Sequence, residues 1–127
     1  MTVRWLVDAS NVIGSRPDGW WRDRAGATKR LIEALERFAA SGDDEVVVVL
    51  DADPAGLAGH HGPVEVVVAP RRGRDAADDE IVARLERHAD PSSVRVVTSD
   101  AGLASRVRAL GASVEGARGF RDRLDPR

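Results

Sequence analysis

The chain has 127 residues, 43% of them hydrophobic, a length and composition that predict one domain spanning residues 1–127. The absence of cysteine excludes disulfides and cysteine-bound zinc, and the net charge of −2 excludes an overall basic field for nucleic acid. No apolar run reaches the roughly 18–20 residues of a membrane span. Residues 1–8 lack the features of a signal peptide, so we expect a cytoplasmic protein without a membrane partner.

Strand and helix patterns alternate along the chain. The strand patterns are four apolar segments and a short fifth, at residues 3–7, 46–50, 64–69, 94–97 and 112–114. Helical periodicity lies between and after them, at residues 31–39, 75–88, 103–110 and 118–124. We expect the Gly/Pro-rich stretch 53–63 to be a mobile loop. This order predicts an α/β fold, with helices on both faces of a central, mostly parallel sheet of four to five strands.

Aspartates stand at the carboxyl ends of three predicted strands, at Asp8, Asp51 and Asp100. Parallel strands end at the same edge of a sheet, where open α/β sheets bind their ligands. Asp78 lies one turn before the apolar pair of its predicted helix, so it shares the inward face of that helix. Its position in the first turn directs it to the same edge. Four carboxylates from distant parts of the sequence can therefore converge.

Clustered carboxylates repel one another, and a hard divalent cation such as Mg²⁺ or Mn²⁺ relieves that repulsion. Such an ion activates water and stabilises charge on a phosphate. Each acid also has a structural alternative: Asp100 as a helix N-cap, Asp78 as a first-turn acid, and Asp8 and Asp51 as turn formers. Asn11 can orient a water or bind Asp8, or it can form a plain Asx-turn.

Basic and aromatic residues near this edge are candidates for substrate binding. Arg71, Arg72 and Arg74 directly precede the helix of the fourth acid, where they can hold a phosphate backbone. The alternative is a solvated basic loop. Trp20 and Trp21 lie among arginines after the first strand. They can stack on bases as in single-strand binders, or one ring can pack beneath the first helix.

Two further polar pairs have weaker signals. Thr98 and Ser99 precede the last strand-end acid, where they can hydrogen-bond a metal-bound water or a phosphate, or simply cap a helix. The adjacent His60 and His61 are not expected to be metal ligands, because neighbouring side chains on an extended chain face opposite sides.

Four segments carry a family resemblance: VDASNVIG at 7–14, VVVVLD at 46–51, ADDEI at 77–81 and VTSD at 97–100. In order and spacing they resemble the NYN domain family, a branch of the PIN-like nucleases, and specifically its YacP-like members. The resemblance covers nearly the whole chain. It departs from the family at Ala9 and Ser10, where many members carry Gly-Tyr.

The resemblance implies a three-layer αβα PIN-like domain that cleaves single-stranded or exposed RNA with Mg²⁺ or Mn²⁺. The family's metal ligands fall on Asp8, Asp78 and Asp100. Asn11 takes the polar position after the first acid, and Asp51 takes a supporting role in catalysis. Ribosome association is also implied. The oligomeric state is left open between a monomer and a homodimer.

Two other functions remain alternatives. The domain can be a non-catalytic module that keeps the fold and binds RNA or a protein partner. The segment LDADPAG at 50–56 also resembles the Asp-x-Asp segment of TOPRIM phosphotransfer domains. Those domains need a glutamate after an early strand, where this chain has Asp8, so a TOPRIM-like function is the weaker hypothesis.

Overall fold

A computed structural model of the protein describes residues 2–53, 55–70, 73 and 75–124. The strands are β1 (Arg4–Asp8), β2 (Glu45–Leu50), β3 (Gly59–His61), β4 (Val64–Val68), β5 (Val94–Val97) and β6 (Ser113–Glu115). The helices are α1 (Ala9–Ile13), α2 (Arg24–Ala40), α3 (Ala76–Arg87), α4 (Ala101–Ala109) and α5 (Ala117–Leu124). Two short 3₁₀ turns lie at Trp20–Arg22 and Pro91–Ser93. None of the helices described is both long and apolar enough to cross a membrane.

The six strands of the described residues form one sheet in the order β3-β4-β2-β1-β5-β6, and among them only β3 runs antiparallel to its neighbour. The chain builds outward from β1 through β2 and β4, and then returns to add β5 and β6 on the other side. The strand order therefore reverses beside β1, between β1 and β5. In open α/β sheets, ligands bind at the carboxyl ends of the strands beside such a reversal.

Helices cover both faces of the sheet, so the molecule has three layers. Successive residues of a strand point to opposite faces. Accordingly Trp5 and Val7 pack with α1, α2 and α5, whereas Leu6 packs with α3 and α4. The uninterrupted valines of β2 are divided between the same two cores. A strand buried on both faces needs a continuous apolar run, which confirms the predicted mixed α/β fold.

The predicted number of strands was too low, because the described residues form a sheet of six strands rather than four or five. The additional strand, β3, lies inside the stretch predicted to be a mobile loop. It pairs with β4 as Gly59 with Val66 and His61 with Val64. Its own residues are polar or glycine and largely exposed, so this edge strand shows no apolar pattern in the sequence. The short helix α1 was missed as well, since five residues cannot display a helical period.

Candidate active site

Asp8 is the last residue of the central strand β1, and only 3% of its surface is exposed. Its Oδ2 accepts hydrogen bonds from Asn11 Nδ2 at 3.0 Å and from Thr98 Oγ1 at 3.2 Å. Burial raises the pKa of Asp8 above its usual range, while these two partners act in the opposite direction. The nearby charge of Asp100 raises the pKa further.

The Asp8 carboxylate belongs to a network that joins the ends of β1 and β5. Parallel pairing sets Val7 beside Val97, so the residues that follow them, Asp8 and Thr98, become neighbours. Thr98 Oγ1 also accepts the backbone N–H of Asp100 at 3.1 Å. Asn11 Oδ1 accepts the N–H of Ser99 at 3.0 Å. Asn11 and Thr98 thus each bind both the Asp8 carboxylate and a backbone N–H of the segment that follows β5.

Asp100 caps the amino end of α4 and also contributes charge to the site. Its Oδ1 accepts the backbone N–H of Leu103 at 2.9 Å, the N-cap geometry considered from the sequence. The same carboxylate raises the pKa of both Asp8 and Asp78. The structural role and the proximity to the other acids therefore coexist in this residue.

Asp78 lies in the first turn of α3 and is partly buried. Its pKa is raised to about 6, first by burial and then by the negative charges of Asp8, Asp100 and Asp75. Arg106 on α4 opposes this rise, and it forms a 3.2 Å ion pair with the neighbouring Asp79. We call Asp8, Asp78 and Asp100 the carboxylate edge, since their charges act on one another.

The donor chemistry of the carboxylate edge fits a hard divalent cation. Burial, followed by repulsion from the neighbouring carboxylates, raises the pKa of Asp78 to about 6, and Mg²⁺ prefers carboxylate oxygens of this kind. Within the described residues, no three acidic or histidine side chains lie close enough to enclose a metal by themselves. Mg²⁺ usually keeps several bound waters and binds only one or two carboxylates directly. The carboxylate edge therefore fits a partly hydrated ion.

Asp51 occupies a different place from the three acids of the carboxylate edge. It is exposed, and it lines a cavity together with Ser10, Trp20 and Arg24. It is not among the main charges that raise the pKa of Asp78. The structure therefore brings together three of the four acids that strand-end and helix-phase reasoning nominated, and it sets Asp51 apart.

The proposed substrate-binding residues have mixed positions. Trp20 is partly buried and meets the half-exposed Trp21 edge-on, with ring centroids 5.8 Å apart. Ser99 is exposed, and its Oγ accepts the N–H of Ala117 at 2.8 Å, which caps the start of α5. The three arginines of the basic loop (Arg71, Arg72 and Arg74) lie outside the described residues, so their predicted role stays a prediction.

Sequence reasoning missed the influence of Arg106 and Asp75 on Asp78. Arg106 lies on the last turn of α4, and its effect on α3 depends on how the two helices pack. No spacing along the chain carries that information. Asp75 stands at the N-cap position of α3, yet its side chain makes no capping hydrogen bond, and its charge instead raises the pKa of Asp78.

The fold is a three-layer α/β domain with a buried aspartate at the reversal of its sheet and two less buried ones beside it, which is where open α/β sheets bind ligands. The family profile for the YacP-like NYN domain matches residues 5–126. The chain therefore belongs to the YacP-like NYN domain family, which is a family of PIN-like nucleases.

Solved structures agree with this fold. The crystal structure of Rae1 (YacP) from Bacillus subtilis matches with a TM-score of 0.78 and 23% identity, over 98% of this chain and 74% of that one. A tryptophan-to-leucine mutant of Rae1 matches with a TM-score of 0.74, also at 23% identity, over 96% and 74%. Identity this low supports the shared fold alone. A search of curated proteins finds no match.

Proposed function

We propose that the protein is a metal-dependent endoribonuclease. Water would hydrolyse a phosphodiester bond of single-stranded or exposed RNA, leaving a 5′-phosphate and a 3′-hydroxyl. The observation that carries this proposal is the carboxylate edge, whose three acids converge at the sheet reversal in a chain from a nuclease family. Asp8, Asp78 and Asp100 would hold Mg²⁺ or Mn²⁺, which when bound supplies activation of water and stabilisation of phosphate charge.

The protein itself contributes a carboxylate, that of Asp8, which is held in a fixed orientation and largely shielded from water. Burial alone would favour a neutral Asp8, and the hydrogen bonds from Asn11 and Thr98 favour its charged form. Because both partners are themselves tied to the end of β5, the carboxylate has little rotational freedom. Such preorganisation avoids rearrangement during the reaction.

The test is cleavage of labelled single-stranded RNA by the purified full chain with Mg²⁺, with Mn²⁺, and with EDTA. We expect cleavage with either metal and none in EDTA. Asp78→Asn and Asp100→Asn should each lose at least about 100-fold in rate, more than is typical for loss of an outer-shell partner. Asp79→Asn is the matched control, since Asp79 is exposed and paired with Arg106.

Two outcomes would overturn the proposal. Full activity of both asparagine variants, or undiminished cleavage in EDTA, would remove the metal mechanism. RNA binding without cleavage in any metal would instead support the non-catalytic binding module. Circular dichroism and urea unfolding of each variant show whether a loss of activity reflects a loss of fold.

A further inference from the structure

A cavity of about 300 Å³ is lined in part by Ala9, the residue that follows Asp8 in the chain. Its walls include Ser10, Ile13, Trp20, Arg24 and Asp51, and we call it the Trp20 cavity. Mixed apolar and polar walls and a volume at the lower end of roughly 300–1,000 Å³ are typical of small-ligand sites. The cavity can therefore hold one small planar group.

Two residues of the Trp20 cavity lie close to Asp8, the central acid of the proposed metal site. Ser10 follows Asp8 by two residues on the short helix α1. Asp51 directly follows β2, which pairs with β1 so that Asp8 lies beside Val49. An RNA strand with a phosphate at Asp8 would thus have a neighbouring nucleotide within reach of this cavity.

The aromatic wall is held in place by its neighbours. The guanidinium of Arg24 lies 5.3 Å from the centroid of the Trp20 ring, a cation–π distance. Gly14 lies beside the ring, since a Cβ built there would make an ordinary van der Waals contact of 4.0 Å with the Trp20 indole. Gly19, at φ 88°, makes the left-handed turn that begins the Trp20–Arg22 segment. Trp20 is therefore a positioned stacking surface rather than a loose side chain.

The polar wall carries two charges of opposite sign, those of Asp51 and Arg24. Within the described residues, neither the Asp51 carboxylate nor the Arg24 guanidinium forms a hydrogen bond or an ion pair, although Arg24 contacts the Trp20 ring. Elsewhere, arginines near the same loop are paired, as Arg121 is with Asp18 at 2.9 Å. An unpaired acceptor beside an aromatic wall suits a planar ligand with N–H groups on its edge.

We propose that the Trp20 cavity is a nucleobase subsite that prefers guanine, in a strand bound for the hydrolysis proposed above, on which this inference rests. The base would stack on Trp20, and the Asp51 carboxylate would accept its edge N–H groups. Guanine presents two adjacent donors, N1–H and N2–H₂, which match the two oxygens of a carboxylate. Uracil presents one donor between two carbonyls, and those carbonyls would face the negative charge of Asp51.

Binding measured in EDTA tests this inference separately from cleavage. The probes are uridine pentanucleotides with one central guanosine, inosine or 7-deazaguanosine. Inosine lacks only the 2-amino group, and 7-deazaguanosine keeps the edge that Asp51 would read. The readout is an NMR titration of the full chain, which follows the indole N–H of Trp20 among the three tryptophans of the chain, assigned with Trp20→Phe.

We expect guanosine and 7-deazaguanosine to bind alike and about tenfold more tightly than inosine. Asp51→Asn should abolish that preference, and because Asp51 is exposed the variant should keep its fold. Trp20→Leu should weaken the binding of every probe about equally, and by more than Trp21→Leu, which removes the neighbouring ring that lies outside the cavity walls. Trp20→Phe, which keeps a stacking ring, should retain most of the affinity.

Equal binding of guanosine and inosine by the wild-type protein would overturn the inference. So would an unchanged preference in Asp51→Asn, or a larger loss in Trp21→Leu than in Trp20→Leu. If the protein cleaves RNA but binds the guanosine and inosine probes equally, the ribonuclease proposal stands and the guanine subsite is refuted. Guanosine preference dependent on Asp51, in a protein that cleaves no RNA, would support the subsite and refute the proposed hydrolysis.

Discussion

The Asp78→Asn substitution is expected to stabilise the metal-free protein at pH 7 while abolishing its activity. The pKa of Asp78 is raised from 3.8 to about 6, so folding with the ionised carboxylate in place costs free energy. A difference of this size corresponds to at most about 3 kcal/mol. Because solvent screens a partly exposed carboxylate, we expect a gain of about 1 kcal/mol.

The pH dependence of this gain has a defined sign. Below pH 3.8 the Asp78 carboxyl is protonated in both the folded and the unfolded chain, and its contribution to stability is fully present. That contribution is lost as the pH rises through about 6, where the folded chain gives up its proton. The gain from asparagine should therefore be largest near pH 7 and shrink towards pH 4.

Urea unfolding in EDTA at pH 7 and at pH 4.5 measures this effect for the wild type, Asp78→Asn and Asp79→Asn. The control removes an exposed charge from the same helical turn and should change stability by less than about 0.5 kcal/mol at either pH. Saturating Mg²⁺ should stabilise the wild type and leave Asp78→Asn unchanged. A variant less stable than the wild type at pH 7, or an equal gain at both pH values, would refute the reasoning.

The other predictions concern the partners of the carboxylate edge. Asn11→Ala should lower stability by about 1–3 kcal/mol in urea unfolding at pH 7, because buried Asp8 loses a donor; Thr98→Val should do the same. Asp100→Asn should keep the helix cap and unfold near the wild-type temperature, whereas Asp100→Ala should lose about 1 kcal/mol in thermal denaturation; equal stability would contradict the capping role. Mn²⁺ affinity, followed by calorimetry, should fall about tenfold per pH unit below pH 6 as Asp78 takes up its proton, and a flat profile would contradict this.

The fold was largely predictable because each buried element displays its environment in its sequence. The valines of β2 are buried on both faces of the sheet. A continuous apolar run of this kind is typical of a central strand in a parallel sheet that is covered by helices on both sides. The edge strand β3 was not predictable, since Gly59, His60 and His61 contribute little to either core. An edge strand is recognised by its backbone pairing with a neighbour, and that pairing is not a property of its own side chains.

The candidate site was likewise predictable only in part. Asp8, Asp78 and Asp100 could be nominated because strand ends and helix phase are local features of the chain. The place of Asp51 could not, although it too follows an apolar strand. The sequence treats the two strand ends as equivalent, whereas the structure puts Asp51 in the wall of the Trp20 cavity.

The sequence alone determined which residues are apolar, where the strands end and which acids stand there, because those properties depend on a few adjacent residues. Only the tertiary structure decided which strand ends become neighbours. The pairing of β1 with β5 brings Thr98 to Asp8 across 90 residues of chain, and the packing of α3 beside α4 brings Arg106 to Asp79. Burial and charge effects both depend on neighbours in space rather than along the chain, so the raised pKa of Asp78 exists only in the folded molecule.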